Sequence, residues 1–101
     1  MGAALRRLAT MQAIASDKDG TNTKSPFQAT PPMPLDPMLA QSYQSIRLVS
    51  KAFETYTPDT AAEVEEGDRL DFGDGRLFIV VAVEKWTMTM PHLRLVLEER
   101  G

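Results

Sequence analysis

The sequence predicts an all-β fold: a small antiparallel five-stranded barrel or sandwich with one long proline-rich loop or arm. Five segments either alternate apolar with polar residues or are rich in β-branched and aromatic residues. Turn residues separate these segments, and no segment has a clear helical pattern. Closing short strands into a barrel, or packing them in two layers, protects their edges. With 101 residues, the chain has room for a single domain with one core.

Residues 1–15 contain the first predicted strand. Alternate residues from Leu8 to Ile14 have the spacing of a strand, whereas Leu5, Leu8 and Ala9 have helical spacing. We expect a short strand that follows a few N-terminal residues.

Residues 16–42 form the predicted arm. Five of the seven prolines lie there, among Gly, Ser, Thr, Asn and Asp residues that are typical of loops. Connections in compact domains usually have about 4 to 6 residues, so a loop of this length is either disordered or functional. Prolines restrict the backbone to extended forms, and a stiff segment with apolar side chains can bind a partner. We expect docking on another subunit, with a lid on the same domain or a flexible tether as alternatives. The predicted contacts are Phe27, Pro31, Pro32, Met33, Leu35 and Met38.

Residues 43–101 form the predicted body of the domain. A long strand, or a bent pair of strands, is expected over residues 43–56, and a turn at Gly67 and Asp68 leads into a strand over residues 69–72. Gly73 and Gly75 supply the positive φ angles of a tight hairpin. The chain returns through an apolar strand to Trp86, and the last strand begins at His92.

The segment from Leu77 to Val83 is apolar at every position, whereas a strand with one wet face should alternate. We expect one set of its residues to face the barrel core: Leu77, Ile79, Val81 and Val83. The other set needs cover from the arm or from a neighbouring copy: Phe78, Val80 and Ala82. Phe78 and Val80 are therefore predicted to contact a partner.

The motif WTMTM places Trp86, Met88 and Met90 at the tip of the next hairpin. Trp and Met are enriched in protein interfaces, and Met adapts its shape to a partner. If the tip folds back, these residues belong to the core; if it is exposed, they form an interface. We expect contact with another subunit.

Composition excludes several classes of site. The chain has no cysteine and a single histidine, His92, which rules out thiol catalysis and the usual zinc sites. The acidic residues near the predicted hairpin lack the spacing and flanking helices of a calcium loop, and no phosphate-binding glycine motif is present. No apolar run approaches the roughly 20 residues of a membrane-spanning helix. We expect no enzyme activity, no cofactor, no metal site and no membrane contact.

Charge is divided unevenly along the chain. Residues 1–58 carry 6 basic and 4 acidic side chains, and residues 59–101 carry 5 basic and 10 acidic side chains. A broad basic surface for nucleic acid is therefore missing.

The order of features in the C-terminal half resembles the small head-to-tail connector proteins of long-tailed bacteriophages, also called head-closure, stopper or neck proteins. These chains run through an aromatic strand ending in Thr-Tyr, a Gly-Asp turn, a short apolar strand, a glycine hairpin, a strand ending in Trp and a closing LxLxLEE. The corresponding positions here are Phe53 to Tyr56, Gly67 and Asp68, Leu70 to Phe72, Gly75 to Phe78, Val80 to Trp86 and Leu93 to Glu99.

The resemblance implies a non-enzymatic virion protein that forms a homo-oligomeric ring, a hexamer or a dodecamer, at the neck of the particle. Its partners would be the portal or adaptor protein on one side and the tail-terminator or tail tube protein on the other. Double-stranded DNA would pass through the ring. The protein would assemble in the host cytoplasm and end in the virion.

An acidic channel wall would let DNA slide, because it repels phosphates. The candidates for this wall are Glu63, Glu65 and Glu66, and a merely solvated acidic loop is the alternative. Two other functions stay open: a tail-terminator or minor tail protein, and a small barrel that binds single-stranded nucleic acid. The nucleic-acid binder requires Lys or Arg among exposed aromatic residues, and only Lys85 beside Trp86, and Arg47 and Lys51 on one strand, approach that pattern.

Overall fold

The computed structural model describes residues 7–36 and 51–100, which form one antiparallel sheet. In chain order the strands are β1 (Met11–Ser16), β2 (Phe27–Ala29), β3 (Met33–Pro34), β4 (Lys51–Thr57), β5 (Arg69–Asp71), β6 (Leu77–Trp86) and β7 (His92–Arg100). Their order across the sheet is β2-β1-β5-β6-β7-β4-β3. The predicted all-β class is confirmed. The described part of the chain contains no helix that is long and apolar enough to span a membrane.

The five-stranded barrel is not confirmed, because the sheet has seven strands and is not closed. The sheet curls until the chain after β2 meets β4. The Thr30 backbone N–H donates to the Tyr56 carbonyl at 2.9 Å, and the Thr55 hydroxyl donates to the Thr30 carbonyl at 2.6 Å. The Thr57 hydroxyl donates to the Gln28 carbonyl at 2.7 Å. Between these two segments, threonine hydroxyls thus supply much of the hydrogen bonding. In a closed barrel, a continuous ladder of backbone hydrogen bonds would join the two strands.

The two additional strands lie within the segment predicted as an arm. β2 pairs with β1, and β3 pairs with β4 through Met33 opposite Glu54 and Pro34 opposite Phe53. With three and two residues, these strands are too short to produce a readable alternation. Met38 and the rest of the segment up to residue 42 lie outside the described residues, as does the part of the predicted long strand that precedes Lys51.

β6 and β7 form the longest hairpin, and β6 contains a bulge between Val80 and Ala82. An extra residue in one strand reverses the alternation of side chains beyond it. Before the bulge, Phe78 and Val80 point into the main core; after it, Val83 packs against the same core. The two faces were therefore predicted wrongly before the bulge. Phe78 and Val80, expected on the outer face, are buried in the main core at 0% and 1% exposure, and Val81, expected to face that core, lies in a separate cluster.

A second, smaller core lies on the opposite face of the sheet. Leu35, Val81 and Val96 are buried there, with Ala52 and Ala82 packed against them. Leu35 belongs to the proline-rich segment, and its backbone N–H donates to the Ala52 carbonyl at 2.9 Å. The same chain thus supplies cover for the second apolar face, which is one of the two alternatives expected from the sequence.

The β5–β6 turn matches its prediction. Gly73 and Gly75 have φ angles of 82° and 83°, which residues with a Cβ rarely adopt. The Asp71 carboxylate accepts from the Gly73 N–H at 2.7 Å, and the Asp74 carboxylate accepts from the Arg76 N–H at 3.1 Å.

Candidate interaction surface at the β6–β7 hairpin tip

The hairpin tip, defined as Trp86 to Met90 with His92, carries the most exposed apolar side chains of the hairpin. Met88 is 84% exposed and Trp86 is 53% exposed, while Met90 is partly buried. The Met90 N–H donates to the Met88 carbonyl at 2.6 Å, which closes a tight turn. Thr89 within this turn has a φ of 60°, an uncommon value for a β-branched residue. The tip therefore holds Met88 out from the sheet in a strained turn.

An aromatic stack holds Trp86 in place. Trp86 and His92 are opposite each other in the ladder, and their rings lie 6.1 Å apart between centroids at an angle of 10°. Tyr56 contacts the same imidazole at 5.9 Å, and His92 Nδ1 lies 2.7 Å from the Met90 carbonyl oxygen. This role of His92 was not predicted from the sequence, although pairing Trp86 with His92 across a five-residue loop would have indicated it.

Below the stack, Arg94 joins the three long strands. Its guanidinium contacts the Glu54 carboxylate on β4 at 2.8 Å and the Glu84 carboxylate on β6 at 3.0 Å. Glu54 and Glu84 are thus both paired with Arg94. Lys85 is exposed and makes no ion pair among the described residues.

The structure divides the predicted interface residues into two groups. Phe27, Leu35, Phe78 and Val80 are buried in this chain's own cores, so in this fold they cannot contact a neighbour as predicted. Pro31 and Met33 are exposed and Pro32 is partly exposed on the segment around β3, while Met38 lies outside the described residues. Trp86 and Met88 are exposed at the hairpin tip, with the partly buried Met90 beside them.

The three glutamates proposed for a channel wall lie together on the loop between β4 and β5. Glu63, Glu65 and Glu66 are exposed, whereas Val64 between them is buried at 8% exposure and anchors the loop in the main core. At the end of the loop, Lys24 Nζ lies 2.6 Å from the buried carboxylate of Asp68. The hydrogen bond to Asp68 raises the pKa of Lys24 above its ordinary value, with burial opposing it and the charges of Asp68 and Glu65 adding to it. The acidic loop is therefore fixed at both its middle and its end.

A shallow groove of about 320 Å³ was not anticipated from the sequence. Its described lining consists of Ala9, Gln28, Pro58 and Asp59, and the side chain of the neighbouring Leu8 is 61% exposed. Pro58 directly follows Thr57, which pairs with Leu93 near the start of β7, so the groove lies at the same end of β4 as the hairpin tip. The lining comes from three separate segments, which no local sequence pattern links.

The described residues contain no group of three or more acidic or histidine side chains placed to hold a metal ion. The tip presents the exposed Met88 side chain beside the stacked rings of Trp86 and His92. A scan against protein-family models finds no match for this chain, and a search of curated proteins finds no similar sequence.

Proposed function

We propose that this chain is a structural virion protein of a tailed bacteriophage that forms a homo-oligomeric ring at the neck, between the portal or adaptor and the tail. The observation that carries the proposal is the hairpin tip, where Trp86 and Met88 are exposed on a fixed support. Large exposed apolar side chains that lie together mark interaction sites, and Trp is a frequent anchor of such sites. The sequence resemblance to connector proteins supplies the kind of assembly.

The acidic loop supports a role in the DNA channel. Glu63, Glu65 and Glu66 are exposed on a loop that Val64 and Asp68 anchor to the body. A fixed ring of such loops would present negative charge to passing double-stranded DNA and would repel its phosphates, which favours sliding over binding. In this proposal the partners beyond the ring are the portal or adaptor protein and the tail-terminator or tail tube protein.

One observation favours a second function, the binding of single-stranded nucleic acid. One ring face of Trp86 stacks on His92 beside the exposed Lys85, and aromatic platforms next to cations bind bases. The surrounding charge opposes this function, because Arg94 is bound to two glutamates and the chain carries a net charge of −3. A gel shift with single strands at low and high salt decides between the two, and the connector proposal expects no shift.

The direct test measures assembly of the purified protein by sedimentation velocity and negative-stain imaging, alone and with portal rings of the same phage. We expect ring-sized particles and binding to the portal rings. The Met88→Asp variant places a charge on the tip and should shift the protein to monomers, whereas Met88→Leu keeps the tip apolar and should assemble. A wild-type protein that stays monomeric and binds no phage component would overturn the proposal; binding to tail components alone would favour a tail-terminator or minor tail protein.

A further inference from the structure

We propose that the hairpin tip of one copy docks into the groove lined by Ala9, Gln28, Pro58 and Asp59 on the next copy. This inference rests on the self-assembly proposed above and names the surface that receives the tip. The contact joins two different surfaces of the same chain.

The two surfaces match in chemistry. The tip presents Trp86 and Met88 to solvent, and the groove has Ala9 and Pro58 in its lining and the 61% exposed Leu8 beside it. Met fills irregular apolar recesses well because its side chain is unbranched and flexible. Docking would remove from water three of the four large hydrophobic side chains that the described residues expose: Leu8, Trp86 and Met88.

The two surfaces also differ in charge. Lys85 precedes Trp86 and is exposed without an ion pair among the described residues, whereas Asp59 lines the groove at the start of the acidic loop. The Asp59 carboxylate accepts only the nearby Ala61 N–H at 3.0 Å among its described contacts. Contact between two grooves would bring acidic loops together, and contact between two tips would bring lysines together. Arg7 is also exposed next to Leu8, so the groove side carries both signs of charge. The pairing that favours contact between a tip and a groove is that of Lys85 with Asp59.

A contact between two different surfaces of one chain has a consequence for assembly. Such heterologous contacts repeat from copy to copy and close into a ring when the rotation between neighbours permits it. A contact between two tips would instead give a closed dimer.

The absence of cysteine allows a clean cross-linking test. Met88→Cys and Gln28→Cys variants, carrying different affinity tags, are expressed together, purified through both tags and oxidised. A disulfide needs the two Cα atoms within roughly 7 Å, so it reports close contact. We expect the disulfide between the two variants to be the main product. A main product that joins two Met88→Cys chains, or oxidation that yields no mixed product, would overturn the proposed contact.

Charge exchange gives a second test. Lys85→Glu and Asp59→Lys should each weaken self-association about two- to fivefold, as expected for an exposed ion pair, and the double variant should restore it. Lys18→Glu makes the same charge change on the β1–β2 turn and should leave self-association unchanged. Equal weakening by all three single variants, or no rescue in the double variant, would contradict the pairing.

The two proposals fail in different ways. A wild-type chain that is monomeric at every concentration overturns both the ring and the docking contact. Rings that form in the wild type but give no mixed disulfide overturn the docking contact alone.

Discussion

The two ends of the β6–β7 hairpin contain similar apolar residues in opposite environments. At the root, Phe78 is fully buried; at the tip, Trp86 and Met88 are 53% and 84% exposed. One β-hairpin thus buries its Phe78 end in the core and leaves Trp86 and Met88 exposed at its tip. Apolar character alone therefore does not decide whether a residue of this hairpin is buried or exposed.

Phe78 is buried because three other side chains, Phe53, Phe72 and Arg76, converge on it. The rings of Phe53 and Phe72 meet it edge to face, each at 5.6 Å between centroids. Arg76 places its guanidinium 4.9 Å from the Phe53 ring centroid and 4.8 Å from that of Phe78. Such edge-to-face and cation–π contacts add to the energy of apolar burial. At the tip, among the described residues, Trp86 stacks on His92, and Tyr56 contacts the same imidazole.

The sharpest contrast comes from truncating an aromatic residue at each end. Phe78→Ala should lower the free energy of unfolding by about 3–5 kcal/mol, because it leaves a cavity in the main core. Trp86→Ala should cost about 0.5–1.5 kcal/mol, the value of a lost aromatic stack, yet should abolish assembly. Urea denaturation measures the first effect and sedimentation velocity the second. Equal losses of stability at both ends would contradict the distinction between root and tip.

A loss of stability of intermediate size is expected in the proline-rich segment, where Leu35 packs in the second core. Leu35→Ala should lower the free energy of unfolding by about 2 kcal/mol, because Leu35 is buried against Val81 and Val96. Met33→Ala, two residues earlier and 42% exposed, should change it by less than about 0.5 kcal/mol. Thermal denaturation of both variants gives the comparison. A neutral Leu35→Ala would show that the segment does not contribute to the stability of the body.

The smallest expected effect on stability concerns the ion pair between Arg76 and Glu99, near Phe78. Hydrogen bonds from Arg76 lower the pKa of Glu99, with burial opposing them and the charges of Arg76 and Lys51 adding to them. Because the pKa is lowered in the folded state, the stabilisation is present above the unfolded value of about 4.3 and is lost as the pH falls through the folded value. Glu99→Gln should therefore slightly reduce the melting temperature at pH 7, and the difference from wild type should shrink below about pH 4. A difference that grows with acidity would contradict this assignment.

Much of the fold could be predicted from local patterns. The alternation in the last strand, the apolar run from Leu77 and the glycines at 73 and 75 indicate strands and a turn because they depend only on neighbouring residues. The face that each residue of β6 presents could not be predicted. The bulge at Val80 is set by the pairing with β7, and a single added residue exchanges the two faces.

For the candidate site, too, the sequence predicted the environment of some residues and not of others. The motif WTMTM indicated an interaction surface, and the structure leaves Trp86 and Met88 exposed. The proline-rich composition led to an interface prediction for Phe27 and Leu35, and the unbroken apolar run led to one for Phe78 and Val80; the structure buries all four. Proline-rich composition did not reveal that Phe27 belongs to a short strand paired with β1, since the partner strand lies outside the local sequence.

By itself, the sequence determined the all-β class, the hairpin turn at Gly73 to Gly75 and the apolar character of β6. These features follow from backbone preferences and from the period of the pattern, which act over a few residues. Only the tertiary structure decided that the described residues form seven strands, that their sheet stays open, and that Leu35 covers the second face. Those outcomes depend on which distant segments compete to bury the same surface, and that competition is settled by packing across the whole domain.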